Sequence, residues 1–235
     1  MKHCDLHTHI LPSIDDGAKS VEESVKLLRG LKEQGVECVC FTPHYYSHMV
    51  PAKEFLRKRK AAFESLKDSI PQGIEVRLGA EVFVTDYLFS QENVLNKLCY
   101  GKSNYMLTEF AYSSDFEDSS YTKLLKLKQK GITPVFAHIE RYPKLMKNHD
   151  KIVDMVNMGI LFQTNAVSYC EIGARKKLLG LVDEGLVHIV ATDVHSEKRN
   201  SYKYYGAAVK YIEKKLGRAA VERLCQNSVE IFSKT

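Results

Sequence analysis

The sequence has 235 residues, of which 44% are hydrophobic and 27% are charged. This composition is typical of a folded globular domain and excludes a disordered chain. The formal net charge of +5 comes from 34 basic and 29 acidic residues, a mild imbalance that does not indicate a nucleic-acid partner. We expect a single domain over residues 1–235.

The sequence also lacks the apolar stretches that membrane insertion requires. Charged and polar residues occupy the N-terminus, where a signal peptide would be apolar, and no later apolar run reaches the length of a membrane-spanning helix. No pair of cysteines has Cys-x-x-Cys spacing, so we predict reduced, buried thiols at Cys4, Cys38, Cys40, Cys99, Cys170 and Cys225. These features predict a cytoplasmic protein.

Short β-prone runs alternate with amphipathic segments along the chain. The first run, residues 2–6, precedes a helix that begins with a capping box of Ser20 and Glu23 and ends at Gly35. Later strands are predicted at residues 37–42, 75–80, 105–108, 133–137, 160–164 and 187–191. Later helices are predicted at residues 53–67, 121–129, 150–157, 175–183 and 202–224, the last with a potential break at Gly217. This alternation predicts an α/β barrel of parallel strands.

A His-x-His motif follows the first predicted strand. In an extended backbone the side chains of His7 and His9 point the same way and can share one cation. Asp15, Asp16 and Gly17 follow in the next turn. Taken alone, these residues are more simply interpreted as a chance match and a turn before the helix.

Residues of the same kind follow nearly every other predicted strand: His44, Glu81, Glu109, His138, Asp193 and His195. The C-terminal ends of parallel barrel strands converge on one face, where such folds collect their catalytic groups. Five imidazoles and four carboxylates, without a thiolate, suit manganese, iron or zinc, and a set this large indicates more than one metal. Paired metals that activate water and hold a leaving oxygen are suited to phosphoester hydrolysis.

Two arginines lie close behind the predicted ligands. Arg141 is three residues after His138, and Arg199 is four residues after His195. Either guanidinium could bind phosphate oxygens through a two-pronged hydrogen bond, or could form an ordinary surface ion pair. Tyr45, beside His44, could line the substrate entrance or pack within its loop. Three other histidines lack a position at a strand end and are excluded from the metal site: His3, His149 and His188.

With these residues in view, the chain resembles the PHP (polymerase and histidinol phosphatase) superfamily, and within it the bacterial manganese-dependent protein-tyrosine phosphatases of capsular and exopolysaccharide operons. The resemblance spans nearly the whole chain. It rests on DLHTHILPSIDDGA at residues 5–18, TPH at 42–44, GAEV at 79–82, AHIERY at 137–142, FQTNA at 162–166 and ATDVH at 191–195.

The resemblance implies an α/β fold of the PHP type, a distorted (β/α)7 barrel, with three divalent metals. It implies one metal on His7, His9, Glu81 and Asp193, a second on Glu81, Glu109 and His138, and a third on Asp16, His44 and His195. The metals, with manganese favoured and iron or zinc as alternatives, would activate a bridging hydroxide. Arg141 and Arg199 would bind the phosphoryl group. The implied substrate is phosphotyrosine on the C-terminal tail of a tyrosine kinase that controls polysaccharide export.

Other functions remain open at this point. A small-molecule phosphatase, for example one acting on histidinol phosphate, would use the same metal chemistry in a narrower pocket. A nuclease and a non-catalytic binding module that keeps its metals for structure are further alternatives. A cysteine phosphatase is excluded, because Arg175 follows Cys170 one residue too soon for the phosphate-binding loop of that class. We therefore predict that Cys170 is an ordinary packed thiol.

Overall fold

The computed structural model describes residues 1–112, 116 and 118–234. Within them, the chain forms nine strands and nine α-helices, and every strand pair is parallel. The strands are β1 (His3–Thr8), β2 (Val36–Phe41), β3 (His44–Tyr46), β4 (Glu75–Leu78), β5 (Glu81–Phe83), β6 (Tyr105–Glu109), β7 (Thr133–Phe136), β8 (Leu161–Asn165) and β9 (Ile189–Ala191). The helices are α1 (Val21–Glu33), α2 (Ala52–Leu66), α3 (Asp86–Phe89), α4 (Asp118–Gln129), α5 (Pro143–Lys147), α6 (His149–Asn157), α7 (Arg175–Asp183), α8 (Lys203–Leu216) and α9 (Arg218–Ser233).

The strands form two parallel sheets that continue into each other. One sheet has the order β1-β2-β4 and the other the order β3-β5-β6-β7-β8-β9. β3 follows β2 after only Thr42 and Pro43, and β5 follows β4 after only Gly79 and Ala80, so each pair occupies a single strand position with a break. The nine strands therefore occupy seven positions, in agreement with the predicted α/β fold of seven strand positions.

Hydrogen bonds connect the last strand position to the first. His9 N donates to Val194 O at 2.9 Å, and Asp193 N donates to His7 O at 2.8 Å. The buried carboxylate of Asp5 accepts from the backbone N–H of Thr192 at 3.1 Å. The strand order thus returns to its start, as in a distorted barrel.

Two short strands are the main difference from the predicted strands. The predicted strands at 37–42 and 75–80 correspond to β2 and β4, but β3 and β5, which follow them, were not predicted. The chain breaks at Pro43, which has no N–H to donate, and at Gly79. A Cβ atom on Gly79 would lie 3.0 Å from Cδ1 of Tyr100 and 3.3 Å from Cγ2 of Thr42, so a larger residue here would require these side chains to shift. After the breaks, β3 begins with His44 and β5 with Glu81, and these two residues are register partners.

Helix α1 matches its prediction closely. The Ser20 side chain accepts a hydrogen bond from Glu23 N, and Glu23 in turn accepts from Lys19 N. The predicted helix at 202–224 is divided by Gly217, whose φ of 85° ends α8 and starts α9. The short helices α3 and α5 were not predicted, since four or five residues carry too little periodicity to be recognised.

Hydrophobic side chains fill both the inside of the ring of strands and the space between the strands and the helices. The inner cluster takes residues from β1, β2, β6, β7 and β9, with Ile231 and Phe232 of α9 packed against them. Two larger clusters pack helices against strands. Among the described residues, none of the helices combines the length and apolar character that crossing a bilayer requires.

Candidate metal centre

The predicted ligand side chains converge at the C-terminal ends of the strands. His7 lies on β1 and His9 just after it, His44 and Glu81 begin β3 and β5, and Glu109 ends β6. His138 follows β7, while Asp193 and His195 follow β9. Seven of the nine are buried, His44 is partly buried and Asp16 is exposed. The positions at strand ends, inferred from sequence, are therefore close together in the fold.

Four ligand atoms form a compact group. His7 Nε2 lies 3.1 Å from Glu81 Oε2 and 3.3 Å from Asp193 Oδ1. His9 Nε2 lies at the same two distances from the same two oxygens, 3.1 and 3.3 Å. The two imidazole nitrogens are 3.2 Å apart. Five separations of 3.1 to 3.3 Å match the spacing of neighbouring ligands that each bind a shared cation at about 2 Å.

A second group shares Glu81 with the first. His44 Nδ1 lies 3.1 Å from Glu81 Oε2 and 3.3 Å from Glu109 Oε1. His138 Nε2 lies 2.7 Å from Glu81 Oε1 and 3.9 Å from Glu109 Oε2. His138 is therefore adjacent to this group, as the resemblance implied, but His44 completes the compact set of three.

A third group joins Asp16, His44 and His195 with His9. Asp16 Oδ1 is 3.4 Å from His195 Nε2 and 3.6 Å from His44 Nε2. The His9 and His195 rings stack with their centroids 3.9 Å apart. The implied set thus gains His9, and His44 directs one ring nitrogen to each of two groups. Within each of the three groups, the candidate ligand atoms lie within 4.8 Å of one another.

Polar side chains behind the imidazoles fix their orientation. His9 Nδ1 donates to Asp15 Oδ2 at 2.8 Å, and Asp15 also accepts from the backbone of Gly17 and His44 at 2.9 and 3.0 Å. His7 Nδ1 donates to Gln163 Oε1 at 3.1 Å. With Nδ1 protonated and engaged, Nε2 of each ring presents a lone pair to the cluster.

Three side chains fix the carboxylate of Asp193. Its Oδ2 accepts from Arg141 at 2.7 Å, from Asn165 at 2.9 Å and from Asn200 at 2.8 Å. Its Oδ1 remains directed at His7 and His9. The backbone at Asp193 has a φ of 56° and that at His138 a φ of 33°. Left-handed backbone at non-glycine residues is unfavourable and concentrates at functional sites.

The charges of the cluster depend on one another. Burial alone would raise the pKa of Glu81, but the neighbouring His7 and His44 hold it well below its usual value. Burial opposes protonation of His9, yet Asp15 and the other carboxylates raise its pKa well above its usual value. Burial and the nearby His9 lower the pKa of His195 to about 4. Without a cation, protons on buried imidazoles compensate the carboxylates, and metal binding displaces such protons.

An independent observation also indicates that these residues fit a cluster of divalent cations. Among the described residues, several buried polar atoms have no hydrogen-bond partner, and five of them belong to predicted ligands: His44 Nδ1, Glu81 Oε2, Glu109 Oε1, His138 Nδ1 and His195 Nε2. All except His138 Nδ1 face ligand atoms of the three groups, which leaves four unpartnered atoms directed into the cluster. Buried polar atoms are nearly always satisfied, so each unsatisfied atom requires an explanation. Cations bound by nitrogen and oxygen donors would satisfy all four.

Both predicted arginines line the cavity above the cluster, which has a volume of about 210 Å³. Arg141 donates to Asp193 and, at 3.1 Å, to the hydroxyl of Tyr112. Arg199 donates to Asp16. Each guanidinium carries five N–H donors, so these contacts leave donors for a further anion.

Tyr45 is only 1% exposed. Its hydroxyl donates to Gln91 at 3.2 Å, and its ring packs on Phe55. Its neighbour Tyr46 instead stacks on His44, with centroids 5.4 Å apart, and lines the metal-centre cavity. Tyr45 is therefore a buried residue that packs beneath the loop after His44. Its role toward substrate stays a prediction.

The excluded histidines and the cysteines lie outside the cluster. His3 contacts Cys225, His149 pairs with Glu184, and His188 accepts from Phe162 N. Five cysteines are buried, as predicted, but Cys170 is exposed. The prediction of a packed thiol at Cys170 was wrong, because the 3-10 turn of Ala166–Tyr169 ends there and the chain continues along the surface.

Sequence reasoning missed the residues that support the ligands. Gln163, Asn165 and Asn200 carried no assigned role, although Gln163 and Asn165 lie two apart at the end of a predicted strand and so share a face. Asp15 was interpreted only as part of a turn. The two amide side chains at the end of a strand could have indicated a role in supporting the ligands. Nothing in the sequence around Asn200 indicated such a role.

The fold and sequence agree with known proteins. The family model for capsular polysaccharide synthesis, CpsB/CapC, matches residues 3–233. The chain is 33% identical over 202 residues to a putative tyrosine-protein phosphatase CapC of Staphylococcus aureus, covering 82% of this chain and 76% of that protein. It is 30% identical over 234 residues to the tyrosine-protein phosphatase CpsB of Streptococcus pneumoniae, covering 94% and 93% of the two chains.

A comparison with solved structures identifies similar proteins. A chain from the crystal structures of YwqE of Bacillus subtilis and CpsB of Streptococcus pneumoniae, described as unique metal-dependent tyrosine phosphatases, superposes with a TM-score of 0.82 at 26% identity. That match covers 99% of this chain and 95% of the other. The phosphotriesterase homology protein of Escherichia coli, at 12% identity and a TM-score of 0.63, shares the fold alone. The chain therefore belongs to the CpsB/CapC family of capsular polysaccharide synthesis.

Proposed function

We propose that this protein is a metal-dependent tyrosine-protein phosphatase that hydrolyses phosphotyrosine in proteins. The observation that carries the proposal is the group of His7, His9, Glu81 and Asp193, whose ligand atoms are spaced as they would be around one cation. Two further groups share members with it. The similarity to CpsB, CapC and YwqE supports the same activity.

The site would hold three divalent cations, with manganese favoured over iron or zinc. Imidazole and carboxylate donors without thiolate support these metals. The ligands would be the nine side chains grouped above: His7, His9, Asp16, His44, Glu81, Glu109, His138, Asp193 and His195. When bound, such cations lower the pKa of water and neutralise charge on phosphoryl oxygens.

The chain's own residues would position the substrate. Arg141 and Arg199 flank the metal-centre cavity, and their unused N–H donors would bind phosphoryl oxygens and offset the negative charge that develops in the transition state. Because Arg141 is anchored by Asp193 and Tyr112, its guanidinium is held in place before substrate arrives.

The walls of the same cavity support an aromatic phosphoester. Four aromatic side chains line it beside the cluster: Tyr46, Phe83, Phe110 and Tyr112. Aromatic rings pack favourably on one another at centroid separations of about 4.5–7 Å, and such pairs add roughly 0.5–1.5 kcal/mol beyond the area they bury. The phenyl ring of phosphotyrosine would therefore contact rings while its phosphate reaches the arginines.

The physiological substrate would be the C-terminal tail of a tyrosine kinase that controls capsular or exopolysaccharide synthesis. The family's description as capsular polysaccharide synthesis supports this partner. Free thiols at all six cysteines are typical of a reducing compartment and support action in the cytoplasm.

The test is phosphate release by the manganese-loaded protein from three substrates in one assay: a phosphotyrosyl peptide, the same peptide with phosphoserine, and histidinol phosphate. We expect the highest kcat/KM with phosphotyrosine. Faster turnover of histidinol phosphate would replace the proposal with a small-molecule phosphatase. Release from none of the three would indicate a binding module.

A further inference from the structure

A second cavity lies beside the metal-centre cavity. Its volume is about 380 Å³, and its apolar lining comes from Ile14, Tyr45, Tyr46, Met49, Val50 and Phe55. Asp16, His44 and Tyr46 line both cavities. The second cavity thus adjoins the candidate metal centre, and Tyr46 lines both.

The floor of this apolar cavity is firmly built. The Tyr45 and Phe55 rings pack with centroids 4.8 Å apart. Gln91 accepts from the Tyr45 hydroxyl at 3.2 Å and from Ala52 N at 2.7 Å, which ties β3 to the start of α2. Tyr46 is fixed by stacking on His44. A preformed apolar concavity of this size is the usual form of a ligand site.

The rim is more open than the floor. The Met49 residue is 69% exposed, although it is large and apolar. Methionine has an unbranched, flexible side chain that adapts to differently shaped apolar partners, and it is frequent at surfaces that accept varied ligands. Met49 can therefore close over an occupant.

The phenyl ring of the substrate is not the best occupant. A ring whose phosphate is bound near Arg141 and Arg199 lies in the metal-centre cavity, which already offers it Phe83, Phe110 and Tyr112. The apolar cavity on the other side of Tyr46 remains for another part of the same substrate. An extended peptide advances about 3.3 Å per residue, so a side chain one or two positions away reaches across the width of one ring.

We propose that the apolar cavity binds a bulky apolar side chain located within two positions of the phosphotyrosine in the substrate protein. The proposal rests on the proposed phosphatase function. It assigns to the enzyme a preference for the sequence around the phosphotyrosine, in addition to its chemistry at the phosphate. A peptide with a leucine or phenylalanine in that place binds more tightly than one with glycine.

The experiment compares Met49→Asp with the parent protein. Met49→Leu is the matched apolar control at the same position, and Ile172→Asp places the same charge at another exposed apolar residue, which is 82% exposed and lies outside the cavity. The substrates are a phosphotyrosyl peptide with leucine neighbours, the same peptide with glycine neighbours, and p-nitrophenyl phosphate. Binding is also measured as Kd of the leucine peptide carrying a non-hydrolysable phosphotyrosine analogue.

We expect Met49→Asp to raise KM and Kd for the leucine peptide by about tenfold, the discrimination typical of an apolar pocket, with kcat unchanged. The glycine peptide and p-nitrophenyl phosphate should be unaffected, and both control variants should match the parent. Equal KM values for the two peptides on the parent protein would overturn the proposal. A KM for p-nitrophenyl phosphate that rises equally in Met49→Asp would also overturn it and assign the cavity to the phenyl ring. If the parent hydrolyses no substrate, the proposed function itself fails.

Discussion

Replacing Asp15 with asparagine tests whether the residues behind the cluster set its affinity for metal. Asp15 is not among the predicted ligands, yet it accepts three hydrogen bonds, from His9 Nδ1 at 2.8 Å, Gly17 N at 2.9 Å and His44 N at 3.0 Å. An asparagine side chain would have nearly the same shape but would bring an NH₂ donor next to one of these partners.

The consequence falls on His9. Gly17 N donates to Oδ1 of Asp15, whereas His9 Nδ1 and His44 N both donate to Oδ2. With the amide oxygen of asparagine in the Oδ2 position, His9 keeps its hydrogen bond but loses the negative partner that strengthens its ring as a ligand. With the amide oxygen in the Oδ1 position, the NH₂ faces His9 Nδ1, which must then accept a hydrogen bond and carry its proton on Nε2. That nitrogen is the one within 3.1 Å of Glu81 and 3.3 Å of Asp193. A protonated Nε2 cannot bind a cation. Loss of such orienting partners typically weakens metal binding by about 10- to 100-fold, or roughly 1.4–2.7 kcal/mol.

The assay is titration of metal-free protein with Mn²⁺ by isothermal calorimetry, with Asp15→Asn compared to Asp150→Asn. The Asp150 side chain is fully exposed, so its variant removes one carboxylate without touching the cluster. Circular dichroism of both variants checks that the fold is retained. An affinity of Asp15→Asn within twofold of the parent would refute the role of Asp15 in preparing His9 for metal.

Three further predictions address other residues. Arg141→Ala should lower kcat on a phosphotyrosyl peptide by about 100-fold or more while bound metal, measured by elemental analysis, stays the same, because Asn165 and Asn200 still hold Asp193; normal turnover would remove Arg141 from catalysis. Cys170→Ser should leave turnover unchanged, since the thiol is exposed and outside the cluster; a large loss in the same assay would revive a role for this thiol. Burial lowers the pKa of His188 to about 4 from 6.5, so the unfolded chain binds a proton that the folded chain does not, and stability is lost as pH falls from 6.5 towards 4. Urea unfolding should show about 2 kcal/mol less loss between pH 7 and pH 5 in His188→Asn than in the parent, and equal losses would contradict this account of His188.

The fold class could be predicted because the hydrophobic pattern and the position of the ligands report the same architecture. His44, Glu81, Glu109, His138 and Asp193 each come at or after the end of an apolar run, and parallel strands bring such ends together. The capping box at Ser20 and the break at Gly217 are local signals, and both elements formed as expected.

The rest depended on contacts between residues distant in sequence. The double role of His44 follows from its pairing with Glu81 across β3 and β5. These three-residue strands lie just after the predicted strands, and they are too short to be recognised from a hydrophobic pattern. Gln163 orients His7 from 156 positions away. No local pattern records such a pair, nor the left-handed backbone at His138.

The presence of a metal cluster is tested most directly by anomalous X-ray scattering from crystals of the manganese-loaded protein, recorded at the manganese absorption edge. We predict three strong peaks: one among His7, His9, Glu81 and Asp193, one beside Glu109 and His138, and one beside Asp16 and His195. Crystals of fully loaded protein with no peak inside this cluster would contradict the account.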